Sequence, residues 1–272
     1  MTQIIPINVD RNVTPKDYLA HAAAGRLLVT SYFYTFQGEG PYGGEPALFV
    51  RLAGCNIGAK KDCPWCDTAF QVDKGTPMSA DELLHVIDSL HHKCRLIVVT
   101  GGEPLLQWDT LVPMMEYINR RYAGLVWQFE TNGLLLRPTM RDAWLHNNVH
   151  MVMSPKIPHN WSDYRAVPDW LLHLGPLATS FALKYVVTAD SDSRYHYIPD
   201  DAFRAQAQGV RVYVSGMAVY KRAPALGELP TVWDATMVDQ AATAANYAHA
   251  AKLALEHGLR VSYQTHLFGG VE

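Results

Sequence analysis

The chain alternates almost wholly apolar runs with helical patterns along most of its length. Apolar runs of this kind indicate parallel strands that are covered on both faces. Strands that alternate with helices predict an α/β protein built as a βα barrel or partial barrel. The predicted strands are Leu27–Thr35, Leu48–Gly54, Leu96–Thr100, Val126–Glu130, Met151–Ser154, Phe181–Val187, Arg211–Ser215 and Leu259–Gln264.

Helix signals separate these strands. Ser79 followed by Glu82 forms a capping box, which predicts a helix to about Leu90. Thr14 and Pro15 predict a short helix that ends at Gly25, within an N-terminal extension of residues 1–26. Residues 27–272 are expected to form one barrel domain. The other predicted helices are Trp108–Tyr122, Thr139–His146 and Asp234–His257, the last ending at Gly258.

Charge and composition exclude several classes of partner. The formal net charge is −3 and the sequence pI is near 6.4, without a basic stripe, which argues against nucleic-acid binding. The first residues lack the pattern of a signal peptide. No apolar stretch reaches the roughly 18 to 20 residues needed to cross a bilayer. We therefore expect a cytoplasmic protein with no membrane partner.

Three of the four cysteines, Cys55, Cys63 and Cys66, fall within twelve positions on the loop after a predicted strand. Three thiolates can bind three irons of a [4Fe–4S] cluster and leave the fourth iron open to a small molecule. A zinc site completed by His91 or His92 is the alternative. The fourth cysteine, Cys94, is predicted to be a small buried core residue.

A second motif, Thr100-Gly101-Gly102-Glu103-Pro104, follows the strand Leu96–Thr100. Glycines at a strand end let a ligand approach the backbone, and a nearby acid can hold an ammonium group. Cysteines ending in C-x-φ-C, then G-G-E-P, resemble the radical S-adenosylmethionine superfamily. The resemblance implies that S-adenosylmethionine chelates the open iron of a cluster held by Cys55, Cys63 and Cys66.

The segment from Phe36 to Asn56 reads FQGEGPYGGEPALFVRLAGCN, and Cys66 is followed by Asp67 and Thr68. This pattern resembles the 7-carboxy-7-deazaguanine synthase family. The resemblance implies a partial TIM-like barrel of the radical SAM type with an N-terminal helical extension. It also implies a lyase that converts 6-carboxy-5,6,7,8-tetrahydropterin to 7-carboxy-7-deazaguanine with loss of ammonia. The implied partners are this pterin, an electron donor such as flavodoxin or ferredoxin, and a second copy in a homodimer.

The resemblance also implies roles for individual residues. Arg51 would clamp the substrate carboxylate in a bidentate pair, and Thr68 would bind Mg²⁺, which suits a hydroxyl ligand. The residues implied at the substrate are Phe36, Gln37, Gly38, Glu39, Arg51, Thr100, His266 and Glu272. Those implied at S-adenosylmethionine are Trp65, Cys66, Asp67, Gly101, Gly102, Glu103, Ser154, Pro155, Lys156 and Ser215.

Two features depart from the usual patterns. Seven residues separate Cys55 from Cys63, where the commonest superfamily spacing has three. Residues 214–217, Val-Ser-Gly-Met, stand where the family usually shows Gln-Pro. The alternatives that stay open are a radical S-adenosylmethionine enzyme with a different small substrate and a non-catalytic zinc-binding module.

Overall fold

The computed structural model describes residues 15–56, 75–156, 167–173, 179–221 and 238–264. Within these ranges nine strands form a single sheet. The strands are β1 (Leu27–Phe36), β2 (Pro46–Leu52), β3 (Thr76–Met78), β4 (Leu96–Gly101), β5 (Val126–Thr131), β6 (Val149–Met153), β7 (Phe181–Val187), β8 (Arg211–Gly216) and β9 (Arg260–Ser262). The helices are α1 (Pro15–Ala23), α2 (Ala80–Leu90), α3 (Trp108–Arg121), α4 (Arg141–His146), α5 (Asp169–Leu172), α6 (Asp200–Ala207) and α7 (Gln240–His257). Short 3₁₀ turns cover Gly40–Tyr42, Pro104–Gln107 and Pro138–Met140.

The strand order is β3-β1-β2-β4-β5-β6-β7-β8-β9. All neighbours from β2 to β9 are parallel, whereas β1 is antiparallel to both β2 and β3. Parallel neighbours need long crossover connections, and the helices between these strands supply them. Because β3 and β9 lie at opposite edges, the sheet formed by the described strands is not closed. The expected α/β partial barrel is confirmed.

The two faces of the sheet differ in chemistry. On β5, Trp127 and Phe129 are fully buried against helices, where the Trp127 indole donates a hydrogen bond to Asn119 of α3 at 3.0 Å. Because side chains alternate along a strand, Gln128 and Glu130 point to the opposite, inner face. Apolar burial against the helices therefore stabilises one face, and the polar side chains are collected on the other.

A loop of residues 37–40, here called the crossing loop, runs over the inner face. The Gly40 amide donates to the Ser262 hydroxyl of β9 at 3.1 Å. A Cβ on Gly40, whose φ is +68°, would lie 2.7 Å from the Val152 side chain of β6. A Cβ on Gly38 would lie 2.8 Å from the Gln264 Cα. Glycine is therefore required where this loop passes between the strands.

Several element boundaries agree with the sequence predictions. The strand predicted at Phe181–Val187 has the same first and last residues in the structure. Ser79 and Glu82 form the predicted capping box, with hydrogen bonds of 3.3 and 2.7 Å. The α7 helix ends at Gly258 in the left-handed conformation, with φ of 64°. The N-terminal helix ends as expected, because Gly25 follows with φ of 65°.

Other elements differ from the predictions. The strand predicted at Met151–Ser154 begins two residues earlier, at Val149. The helix predicted at Thr139–His146 is divided into a 3₁₀ turn and α4. The short elements β3, α5 and α6 were not predicted from the sequence. The predicted start of the last helix, at Asp234, lies outside the described residues, as do residues 1–14. In the described part of the chain, no helix is long and apolar enough to span a bilayer.

Candidate active site

The carboxyl ends of the parallel strands meet at one edge of the sheet, where barrel enzymes place their active sites. Gly54 and Cys55 follow β2, Gly102 follows β4, and Ser154 follows β6. The Asn132 amide, after β5, donates a hydrogen bond to Asn56 at 2.7 Å. The structure thus places the beginning of the cysteine loop at the same edge of the sheet as the ends of β4, β5 and β6. The ends of β4 and β6 are the ones that were predicted to hold a cofactor.

Gly101, the last residue of β4, and Gly102, which follows it, are required by the backbone of β2. Gly101 has φ of +122°, and a Cβ there would lie 2.2 Å from the Leu52 carbonyl oxygen. A Cβ on Gly102 would lie 1.9 Å from the Gly54 carbonyl oxygen and 3.2 Å from the Cys55 Cβ. The Glu103 amide also donates to the Gly54 carbonyl at 2.7 Å. This close contact sets the position of Cys55 relative to the Gly-Gly strand end.

Glu103 is fully buried and joins the ends of β4 and β5. Its carboxylate accepts hydrogen bonds from the Thr131 hydroxyl at 2.6 Å, the Asn132 amide at 2.8 Å and the Leu105 amide at 3.1 Å. Burial raises the pKa of Glu103, and these hydrogen bonds oppose the shift. The side chain therefore supports the strand ends from within, and its expected contact with S-adenosylmethionine stays a prediction.

Three polar side chains lie in a row on the inner face. Arg51 of β2 pairs in register with Thr100 of β4. The Thr100 hydroxyl donates to the Glu130 carboxylate of β5 at 3.3 Å. All three are partly exposed, and the Arg51 guanidinium lies over the Phe33 ring, 5.0 Å from its centroid. This row, Arg51-Thr100-Glu130, is the accessible polar surface at the carboxyl edge of these strands.

Gln37 and Glu39 lie directly behind this row. They are 1% and 6% exposed, so the protein itself uses most of their polar atoms. The Gln37 amide donates to Glu130 at 2.9 Å, and its oxygen accepts from the Glu39 backbone amide at 3.0 Å. Glu39 forms an ion pair with Lys184 and accepts a hydrogen bond from Gln264 at 2.5 Å. The neighbouring Phe36 is exposed.

Glu130 and Lys184 were not among the residues predicted to bind substrate or cofactor. Lys184 lies in the middle of an apolar strand and is 8% exposed, and a lysine at such a place was the available signal. Gln128 and Glu130 alternate with buried aromatic residues on β5, which was a second signal. Neither signal identifies the partner, because Lys184 and Glu39 are 145 residues apart in sequence.

Burial and charge determine the ionisation of this group. Burial, and then the nearby Glu39 carboxylate, raise the pKa of Glu130 to about 7, against the opposing effects of Lys184, Gln37 and Thr100. Burial alone would lower the pKa of Lys184, but Glu39 and Glu130 outweigh it and the pKa lies above its usual value. Glu130 therefore titrates near neutral pH, as proton-exchanging groups in active sites often do.

The remaining predicted residues are placed as follows. Ser154 is buried and accepts a hydrogen bond from the Lys156 ammonium group at 3.0 Å, with Pro155 buried between them. Ser215 is 2% exposed and lies 3.4 Å from the Tyr247 hydroxyl, which in turn contacts Gln264. Cys94 is half-buried against the core, and burial raises the pKa of its thiol. The positions of Cys63, Trp65, Cys66, Asp67, Thr68, His266 and Glu272 lie outside the described residues.

Comparison with known proteins agrees with this geometry. The sequence model of the Radical SAM superfamily matches residues 50–160, from β2 and the cysteine loop to the segment after β6. The match places the site in a domain of the radical SAM class. A protein from Rickettsia prowazekii named 7-carboxy-7-deazaguanine synthase is 30% identical over 264 residues, which cover 95% of this chain and 94% of that protein. The chain therefore belongs to the 7-carboxy-7-deazaguanine synthase family.

Other relatives carry the same name and align over shorter segments. The protein from Hyperthermus butylicus is 39% identical over 147 residues, or 53% of this chain and 59% of that protein. The protein from Rhodospirillum rubrum is 44% identical over 131 residues, or 48% of this chain and 50% of that protein. The chain thus spans between half and three fifths of these two relatives. The crystal structure of QueE from Escherichia coli has the same fold, with a TM-score of 0.55, 21% identity, and coverage of 92% of this chain and 99% of that one.

We predict that replacing Gly102 with Ala lowers both thermal stability and the iron bound after anaerobic reconstitution. The new Cβ would meet the Gly54 carbonyl at 1.9 Å, so the end of β2 must move and carry Cys55 with it. The expected loss of unfolding free energy is on the order of 1–3 kcal/mol. Gly43→Ala is the control, because Gly43 has φ of −53° and its added Cβ would meet only an oxygen at 3.6 Å. Equal behaviour of the two variants would contradict the packing argument.

A second prediction concerns the pH dependence of stability. Because the pKa of Glu130 rises from 4.5 to about 7 on folding, its contribution to stability is lost as pH rises through that range. Glu130→Gln should therefore gain stability relative to the wild type between pH 5 and pH 8, by about 1–3 kcal/mol. Denaturant unfolding at the two pH values measures this difference. Glu82→Gln is the control and should show little difference between pH 5 and pH 8. Hydrogen bonds to Ser79 lower the pKa of Glu82 from 4.5, so its effect on stability lies below this pH range.

Proposed function

We propose that this chain converts 6-carboxy-5,6,7,8-tetrahydropterin to 7-carboxy-7-deazaguanine with release of ammonia. The observation that carries the proposal is the Arg51-Thr100-Glu130 row beside Cys55, in a chain that belongs to this family. The row offers a cation, a hydroxyl and a carboxyl group side by side on rigid strands. A planar, polar ligand with its own carboxylate suits such a surface.

Arg51 is the proposed partner of the substrate carboxylate. Its guanidinium lies over the Phe33 ring, and Phe33 in turn stacks on Phe49 with ring centroids 5.1 Å apart. This support restricts the planar guanidinium group while leaving it partly exposed. A restricted guanidinium can bind a carboxylate through two parallel hydrogen bonds at a smaller entropic cost than a free one.

Thr100 and Glu130 are proposed to contact the ring system beside the carboxylate. Gln37 and Glu39 support them from behind, because their side chains already bond Glu130, Lys184 and Gln264. In this proposal the crossing loop acts through Glu130 and through its own backbone. His266 and the Glu272 carboxylate are retained as further proposed substrate contacts.

Cys55, Cys63 and Cys66 are proposed to hold the [4Fe–4S] cluster. The described part of this segment fits that role, since Cys55 has a free thiol, is half-buried, and lies next to the Gly102 strand end. S-adenosylmethionine bound there would supply a 5′-deoxyadenosyl radical that removes a hydrogen atom from the pterin. The remaining proposed contacts with this cofactor are Trp65, Asp67, Gly101, Glu103, Pro155, Lys156 and Ser215, and Thr68 is proposed to bind Mg²⁺.

The proposal includes assembly and partners. We propose a homodimer located in the cytoplasm, reduced by a protein such as flavodoxin or ferredoxin. The small acidic net charge and the absence of a basic stripe support a small-molecule substrate over nucleic acid.

The direct test is anaerobic reconstitution with iron and sulfide, followed by incubation with S-adenosylmethionine, Mg²⁺, a reductant and the tetrahydropterin. Mass spectrometry should detect 7-carboxy-7-deazaguanine. Formation of 5′-deoxyadenosine alone would show that the substrate is wrong and would favour the other radical S-adenosylmethionine activity. A colourless protein that retains zinc and no iron would favour the alternative that the chain is a non-catalytic zinc-binding module.

Replacing Arg51 with Ala should weaken binding of 6-carboxypterin, the stable oxidised relative of the substrate, on the order of 100-fold, because a charged pair is lost. Titration calorimetry on the reconstituted protein measures the dissociation constant. Arg141→Ala, an exposed change on α4, is the matched control and should leave the constant unchanged. Unchanged affinity in Arg51→Ala with intact iron content would refute the carboxylate clamp.

A further inference from the structure

The inner face carries two carboxyl groups and one ammonium group within a single hydrogen-bonded network. Lys184 and Glu39 form an ion pair whose side chains are 10% and 8% exposed. Gln37 connects this pair to Glu130, since it accepts from the Glu39 amide and donates to the Glu130 carboxyl. The network thus joins β7, the crossing loop and β5.

The two carboxyl groups have different partners. Glu39 receives the Lys184 ammonium on one oxygen and the Gln264 amide on the other, so both oxygens are satisfied as a carboxylate. Glu130 receives neutral donors, namely Gln37 at 2.9 Å, Thr100 at 3.3 Å and Gln128 at 3.5 Å. In this largely buried network a negative charge is most stable beside a positive one, so the first charge belongs on Glu39.

We propose that Lys184 is a positioning residue that holds the negative charge of this network on Glu39, which leaves Glu130 as a neutral carboxyl that donates a hydrogen bond to the ligand. This inference rests on the proposed function, because it names how that site recognises its substrate. It assigns specificity for a ring that presents an acceptor atom, a carbonyl oxygen or a ring nitrogen, over Glu130. The charged groups that act on Glu130 in this network are Glu39 and Lys184.

The electrostatics agree with the geometry. Glu39 is the second-largest cause, after burial, of the raised pKa of Glu130, and Lys184 acts in the opposite direction. Removing the Glu39 charge alone would leave Lys184 without its carboxylate partner and make Glu130 the nearest anion available to it. Removing both charges would leave burial as the main influence on Glu130. The two changes therefore have distinguishable effects on when Glu130 loses its proton.

The experiment measures the affinity of 6-carboxypterin by calorimetry from pH 5 to pH 9, in the reconstituted protein with S-adenosylmethionine. Wild-type affinity should fall as pH rises through about 7. In Glu39→Gln this fall should move to lower pH by about one unit or more. In Glu39→Gln/Lys184→Met it should return to higher pH than in the single variant. Glu130→Gln should not show this fall in affinity. Any pH dependence that remains in this variant reports the titration of the ligand itself.

The double variant separates positioning from a structural role. If Lys184 only stabilises the fold, the double variant keeps the pH profile of Glu39→Gln or loses binding at every pH, and the inference is overturned. The same holds if Glu39→Gln keeps the wild-type profile. Circular dichroism of each variant shows whether it is folded.

A measurement without ligand distinguishes failure of this inference from failure of the proposed function. The infrared band of the protonated Glu130 carboxyl group is assigned by its loss in Glu130→Gln. Its pH midpoint should be lower in Glu39→Gln than in the wild type, and it should be higher in Glu39→Gln/Lys184→Met than in Glu39→Gln. If 6-carboxypterin does not bind at any pH while the band behaves as expected, the charge assignment stands and the substrate is wrong. If the ligand binds but the band midpoints do not move, the charge assignment is wrong.

Discussion

The site depends on a backbone contact between the end of β2 and the Gly101-Gly102 pair that ends β4. The backbones of the two strands approach so closely that neither glycine has room for a Cβ. Hydrogen bonds from the Gly102 and Glu103 amides to the Leu52 and Gly54 carbonyls fix the contact. From it follow the position of Cys55, the side-by-side placement of Arg51 and Thr100, and the burial of Glu103 beneath the strand ends. The sequence predicted that these glycines would let a ligand approach the backbone. The structure shows that the absence of a Cβ on them makes room for the end of the neighbouring strand β2.

The two faces of the sheet have different roles. One is buried against helices and stabilises the fold, and the other carries the polar side chains of the proposed site. The helix-covered face is apolar, with Trp127, Phe129 and Trp144 fully buried there. The inner face carries a polar network that is expensive to desolvate unless nearly every donor and acceptor is paired. Gln37, Glu39 and Lys184 meet that requirement through one another. Their ordering gives the accessible row in front of them a fixed arrangement before any ligand arrives, which is the condition for selective binding.

Much of the architecture was accessible from sequence because its signals are local. Apolar runs located the parallel strands, and the Ser79 capping box and Gly258 located helix ends. The strand β3 and the helix α6 were missed because three and eight residues carry too little periodicity. The motif around Gln37, Glu39 and Arg51 predicted residues that the structure places on or behind the same inner face of the sheet. It did not reveal that Gln37 and Glu39 lie behind Glu130, because their partners come from distant strands, and side-chain pairing across a sheet leaves no local pattern.

The crossing loop has a consequence for how the protein reaches its native state. Its contacts with Ser262 and Gln264 join residues separated by 222 and 225 positions in sequence. Contacts of such long range carry a larger loop-closure entropy than contacts between strands that are neighbours in sequence. The strands from β2 to β8 can pair through nearer neighbours, whereas the polar network needs β9 in place. A chain that has paired only the strands from β2 to β8 still lacks the Gln264 contact that completes the surroundings of Glu39.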